Sequence, residues 1–584
     1  MRSRTWFSRP MRAVYSLLTI TALVGTFVVL VANRAPIASA AAQVTSFKGT
    51  LAHATKVRSF TLSGLKSSTA AAASTAKTVK PHVVTMKPRP SSVKAAVAAN
   101  VSRPTAASSK VANGSLLANF DGVNAVQNST ATGGFDLEPP DESIAVGPKY
   151  VANFVNLTGA IYDKQGNVVA GPFPLGGTGV VGGFFNTDIL DNIVSDPRAY
   201  YDAASHTYFA MVWEDDFDSS GNPAAAYVDL ALNSGNPVTG AWTEYKIEVD
   251  DAGAAGCPCL PDFTILGVDQ YNVYLLPNEF QNFGPGFNGS QIYVLAKSQL
   301  LAGVASPNVV HFSNLSVGGS IVYHLQPANE YTSASAEYFL NSLDPNSTFD
   351  NRLGVWALTN RNKVAQGVIP TLSATVISSE AYGFPPNAQT PPGFDSGFDD
   401  VTTGVVTTDF DALQETQYVN GKLYAALDTT ITIPGDTAAR SGIAWFVVTP
   451  KLSGNAISAN SKVSSQGYLA AQGLYLLYPH IEASTDGTTA IVFSYGGPGT
   501  YLSAAYTVAK PGKSYGPIQT AASGVTSDNG FTGTPEFGGV GRWGDYSAGQ
   551  LDPSSSNIWF STQYIGGAGD IYANWFDRVF EVKA

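Results

Sequence analysis

The 584-residue chain carries 33 basic and 44 acidic residues, a net charge of −11, yet residues 1–115 hold 16 of the basic residues and none of the acidic ones. The other 469 residues therefore contain 17 basic and all 44 acidic residues, which argues against a nucleic-acid-binding body, because neutralising phosphates needs Lys and Arg clustered on the folded surface. Charged residues make up only 13%, while Gly 57, Tyr 27 and Phe 30 point to a turn-rich, aromatic, all-β body.

Arg2, Arg4, Arg9 and Arg12 precede an uncharged stretch, 13–32, and then Ala38-Ser39-Ala40-Ala41. A basic start, an apolar core and small residues two apart are what export machinery and signal peptidase read, so 1–41 is expected to be a signal peptide and the protein secreted or held at the cell surface. The stretch is also long enough to span a bilayer as an uncleaved anchor, the one membrane attachment the sequence offers. Residues 42–115 are dominated by Ala, Ser, Thr, Val, Lys and Pro and have no acidic partners for their eleven basic residues. Composition reads this segment as a disordered tether, either touching an acidic envelope polymer or acting as a solvated spacer.

From 116 to 584 a unit recurs: a short strand, a polar turn, then a strand of Val, Ile, Tyr, Phe and Trp. It appears as "PPDESIAVGPKYVANFVN", "SDPRAYYDAASHTYFAMVW", "LPDFTILGVDQYNVYLLPN", "SASAEYFLNSLD…NRLGVWALTN", "DFDALQETQYVNGKLYAAL", "LYPHIEASTDGTTAIVFSY" and "RWGDYSAGQLDPSSSNIWFSTQY". With Ser143, Arg198, Phe263, Glu337, Asp411, His480 and Asp545 as equivalent points, the spacings are 55, 65, 74, 74, 69 and 65. Such spacings suit four strands with decorated loops stacked radially, so the expected fold is a β-propeller of seven four-stranded blades, with six or eight as alternatives. An open ring would leave two sheet edges exposed, so the terminal segment "YANWFDRVFEVKA" is expected to pair with residues 116–120 in one blade.

On the phrases "PPDESIAVGPKYVANFVN", "DPRAYYD", "DFTILGVD", "YPHIEASTDG" and "RWGDYSAGQLDP", the chain resembles secreted bacterial β-propeller proteins of the sialidase and BNR-repeat class. The resemblance implies a propeller more strongly than an activity. Ser484-Thr485-Asp486-Gly487-Thr488 lacks a spacer and the Trp of a sialidase Asp-box. Arg198 and Arg542 stand where that class grips a carboxylate, without a third Arg at an equivalent blade start.

In a propeller the starts of the innermost strands converge on the channel. The positions expected there are Asp141, Glu142, Asp196, Arg198, Asp262, Glu337, Asp411, His480, Arg542 and Asp545. Such a ring can bind a cation, position a sugar, or supply an acid and a carboxylate for glycoside cleavage; each Asp can equally cap a turn. Asp196, Asp262, Glu337 and Asp545 are the candidate catalytic acids. Arg198, His480, Arg542, Trp543, Asp141 and Asp411 are the candidate ligand contacts, with Trp543 available for sugar stacking. Asp216, Asp218 and Ser220, followed by Gly221, open like a calcium loop, though Tyr227 stands where its bidentate acid belongs. Cys257 and Cys259, the only cysteines, suggest a disulfide in an exported protein. The leading functional expectation is a propeller that binds an extracellular glycan or protein at its channel face. The alternatives are a glycoside hydrolase or lyase using acidic channel residues, and a non-catalytic structural envelope protein.

Overall fold

The computed structural model describes residues 43–65, 101–113, 116–177, 182–343, 349–408 and 410–584. The expected signal peptide and the middle of the expected tether lie outside these residues. Among them no helix is long and apolar enough to cross a membrane.

The protein is all-β. Among the described residues, seven antiparallel meanders follow one another along the chain, each built from the strand-turn-strand pattern that the sequence repeats. The first runs through Ser143–Val146, Tyr150–Val155, Thr158–Asp163 and Val168–Pro174. The second and third begin at Ile193–Asp202 and Cys259–Val268. The fourth and fifth begin at Gln326–Glu330 and Thr416–Val419, two strands that pair in parallel. The sixth begins at Tyr475–Ala483 and the seventh at Ala548–Leu551. Turn chemistry makes the hairpins tight. In the fifth meander Asn420 and Gly421 both have positive φ (49° and 79°), as a two-residue hairpin turn with right-handed strand twist demands.

Each large apolar cluster lies between two consecutive meanders rather than at one centre. Trp213 and Leu230 of the second meet Leu266 and Leu275 of the third. Phe339 and Trp356 of the fourth meet Tyr274 and Val294 of the third, and Leu427 and Phe446 of the fifth meet Leu353 and Val355 of the fourth. The series returns on itself, because Ile144 and Val151 of the first pack on Trp559 and Val579 of the seventh. The first strands of successive meanders likewise touch in order, and Ala548–Leu551 touches Ser143–Val146. Closure is also staggered along the chain, since Ala118–Asn124, which precedes the first meander, forms the outer strand of the last one against Phe576–Val582. Burying large side chains at about 1.5–3 kcal/mol each makes every interface between meanders contribute to the closed ring.

The segment expected to be a disordered tether is partly structured. Thr45–Phe47 pairs with Thr371–Gly383 of the fourth meander, Thr50–His53 with Asn308–Phe312 of the third, and Thr55–Phe60 with Trp242–Glu248 of the second. Val111–Asn113 adds in parallel to Ile518–Ala522 of the sixth. These strands form a belt over outer sheet edges that would otherwise offer unpaired backbone groups. Composition misses it because the segment has nothing to bury within itself; its partners lie in the ring. Arg58, for example, donates from Nε to buried Glu244 at 2.6 Å and from Nη2 to the carbonyls of Gly183 and Phe184.

Candidate functional site

Three of the first strands carry the same irregularity at their start. Between Ser195 and Arg198, between Asp262 and Ile265, and between Leu477 and His480, three residues advance against two on the neighbouring strand. The bulges contain Asp196, Phe263 and Tyr478, whose φ values are 52°, 54° and 54°. Asp141, His324 and Gly544 hold positive φ at the corresponding ends of the first, fourth and seventh meanders. Bulges re-aim side chains, and bulky residues in the left-handed region carry strain that surrounding structure must hold in place.

These turns bring Asp141, Asp196, Asp262, Arg542 and Asp545 around one small space of about 10 Å³, roughly what a single water-sized particle needs. One carboxylate oxygen from each of Asp141, Asp196 and Asp545 lies within 4.8 Å of the others. All four aspartates are buried. Arg542 Nη2 donates to both oxygens of Asp545, at 2.9 and 3.0 Å. Asp196 accepts from Trp213 Nε1 at 2.7 Å, from the Phe263 N–H at 2.9 Å and from Ser195 Oγ at 2.8 Å. Asn156 ties the group together: its Nδ2 donates to Asp141 Oδ2 at 2.6 Å and to the Pro139 carbonyl at 2.7 Å, while its Oδ1 accepts from the Asp196 N–H at 2.8 Å. Asp141 Oδ1 is buried without a hydrogen-bond partner.

Burial holds the Asp141 carboxyl well above the usual carboxylate range, and the neighbouring Asp545 and Asp196 push the same way. Asp262 is raised by burial and then by Asp196. Asp545 is raised by burial, opposed by Arg542. The cause in each case is charge removed from water with too few cations nearby.

Farther along the first strands, Arg198 Nη1 meets Glu415 at 3.2 Å, and His480 Nδ1 lies 3.5 Å from the same carboxylate. His480 Nε2 is 3.2 Å from Glu482, which also accepts from Gln417. The Arg198 guanidinium lies 3.2 Å from the centre of the Tyr546 ring. Glu415, Glu482, Asn156 and Tyr546 are missing from the sequence expectation. Glu482 and Tyr546 fall one or two residues past the chosen repeat points His480 and Asp545, so the signal was present there; Asn156 sits in a turn without a repeat counterpart.

Several expected residues lie elsewhere. Glu337 does not begin an innermost strand: it starts the second strand of its meander, Glu337–Ser342, and accepts from the Ala328 N–H. The alignment is one strand late there because the first strand, Gln326–Glu330, lacks the apolar run that marks the others. Asp411 is buried ahead of Thr416–Val419 and does not line the aspartate space. Trp543, 2% exposed, packs with Tyr475, Leu477 and Leu502 and is not open to a sugar face. In the hairpin, Asp218 Oδ1 accepts from the N–H groups of Ser220 and Asn222, capping its own turn. Asp216 is instead pushed up to about 7 by burial and by Glu214. The two carboxylates thus take separate partners. Cys257 and Cys259 are bonded to each other.

Beside the aspartates opens a cleft of about 830 Å³, sharing Leu137 with their space and lined also by Phe135, Asp191, Asn192, Phe217 and Asp218. Its volume is in the range of small-molecule sites, and its lining mixes aromatic faces with planar polar groups.

No family model and no curated protein matches the chain. Among solved structures, a GH43 β-1,3-galactosidase with galactodeoxynojirimycin is 11% identical over 59% of this chain and 97% of its own, with a TM-score of 0.28. An exo-β-1,3-galactanase from Clostridium thermocellum is 8% identical over 79% and 96%, TM-score 0.28. A Penicillium chrysogenum α-L-arabinanase complexed with arabinobiose is 10% identical over 66% and 92%, TM-score 0.25. The three are glycosidases and none is a sialidase. At these TM-scores the likeness assigns this chain neither a family nor an activity.

Proposed function

We propose that the seven meanders are the blades of a β-propeller, exported and held at the cell surface, that binds an extracellular glycan at the face where the first strands begin. The observation that carries this reading is the cleft between the first two meanders, whose lining includes the aromatic side chains Phe135 and Phe217 and the polar side chains Asp191, Asn192 and Asp218. Ring faces and planar polar groups in one concavity are what sugar recognition requires. Glycan-array and calorimetric binding with the full chain test it. A glycan bound by wild type should bind at least tenfold more weakly to Phe217→Ala and to Asn192→Ala. Equal binding by all three proteins, or binding of a protein ligand alone, would sink the proposal.

One observation favours a second reading, glycoside cleavage: burial, with Asp196 beside it, raises the Asp262 carboxyl well above the usual carboxylate range, the direction a general acid needs. Turnover of a polysaccharide, abolished by Asp262→Asn, would favour cleavage over binding. Neither binding nor turnover would leave a structural envelope role.

A further inference from the structure

We infer that Asp141, Asp196 and Asp545 are the ligands of a buried hard divalent cation, calcium first, held where the first, second and seventh meanders meet. This goes beyond the glycan reading and stands apart from the Asp216 hairpin. The first support is distance. Calcium binds oxygen at about 2.3–2.6 Å, so two ligands on opposite sides of the ion lie about 4.6–5.2 Å apart; the three carboxylate oxygens lie within 4.8 Å of one another.

The second support is an unused acceptor. Asp141 is 1% exposed, lines the small space, and its Oδ1 has no hydrogen-bond partner while Oδ2 is held by Asn156. A buried carboxylate oxygen left unpaired is costly, and the group it lacks is one that all three aspartates can share.

The third is charge. Asp262 and Glu138 bring the buried carboxyl groups lining the space to five, yet Arg542 is the one cation among its lining residues, and it is committed to Asp545. Arg198, deeper in the ring, is paired with Glu415. A divalent ion offsets two of the remaining negative charges. Oxygen-only donors select calcium, magnesium or manganese over zinc. Of these, magnesium keeps several waters, for which a space of about 10 Å³ has no room.

Trp213, whose indole N–H donates to Asp196 at 2.7 Å, provides an optical antenna. Terbium, a calcium mimic, should emit when tryptophan is excited, saturate at one equivalent per full-length chain and be displaced by calcium. Elemental analysis of protein equilibrated with calcium and then washed should find one calcium per chain. Asp141→Asn should weaken terbium binding at least tenfold, and Asp216→Asn should leave it unchanged. Absence of stoichiometric metal in wild type overturns the inference, as does emission lost in Asp216→Asn but kept in Asp141→Asn. Should Asp141→Asn fail to fold, wild-type melting decides: a higher Tm in calcium than in chelator supports the site, and equal values overturn it. Because binding of glycan and of cation are read separately, either proposal can fail alone.

Discussion

Asn156 shows how much of the site depends on one neutral side chain. It touches Asp141, Asp196 and the Pro139 carbonyl, and so holds two residues of positive φ in place. Leucine at this position would leave those buried partners unsatisfied, at about 1–3 kcal/mol for each group. Asn156→Leu should therefore lower the denaturant midpoint by an amount worth about 3 kcal/mol, read from urea unfolding at constant m; a change below 0.5 kcal/mol would mean that water replaces the amide. At this scale the sequence was partly legible. Asp141, Asp196, Asp262 and Asp545 could be selected because they precede the repeated apolar runs. Asn156 could not, because an Asn before a turn reads the same whether or not it supports a site.

At the scale of elements, the repeated bulge at Asp196, Phe263 and Tyr478 explains why the repeat was readable: each copy needs an apolar strand that starts from an awkward turn. Gln326–Glu330 breaks the pattern with polar residues, and the expected alignment slid to Glu337 for that reason. The belt strands were illegible for a different cause. An outer strand needs backbone pairing and little burial, so Thr45–Phe47 and Thr50–His53 have no strong pattern of their own. Arg58 anchors the belt, and Arg58→Ala leaves Oε2 of Glu244, a residue with no exposed side-chain surface, without its charged partner, while Oε1 keeps the Asn186 N–H. The variant should lose about 1–3 kcal/mol and scatter more light near its melting temperature, as freed sheet edges pair between molecules. An unchanged midpoint with unchanged scattering would make the belt energetically idle.

Over the whole molecule, acidity concentrates where water is scarce. Asp136 is pushed up to about 8, by burial first and then by Asp570. Asp395 and Asp528 are each pushed up to about 6, chiefly by burial. These folded-state values lie above the ~3.9 of an unfolded Asp, so the folded protein holds extra protons between the two and loses stability as pH rises through that window. In chelator, Tm should therefore be higher at pH 5 than at pH 8, by scanning calorimetry. A flat or rising Tm over that interval would show that these carboxyls are ionised and compensated in the fold. The overall charge imbalance seen in the sequence thus has an address, which composition alone could not provide, because it depends on which carboxylates the ring removes from solvent.

The belt also sets a clock. Its strands at 45–60 are among the first described residues of the chain, yet they pair with partners near 245, 310 and 372, and they meet the fourth, third and second meanders in that reversed order. Contacts so distant in sequence are slow to form, and none can form until the partner strand has been made. The second, third and fourth meanders must therefore be made before these belt strands can close over them. During that interval the outer edges of three meanders stand open, which is when the chain is most exposed to pairing with its neighbours.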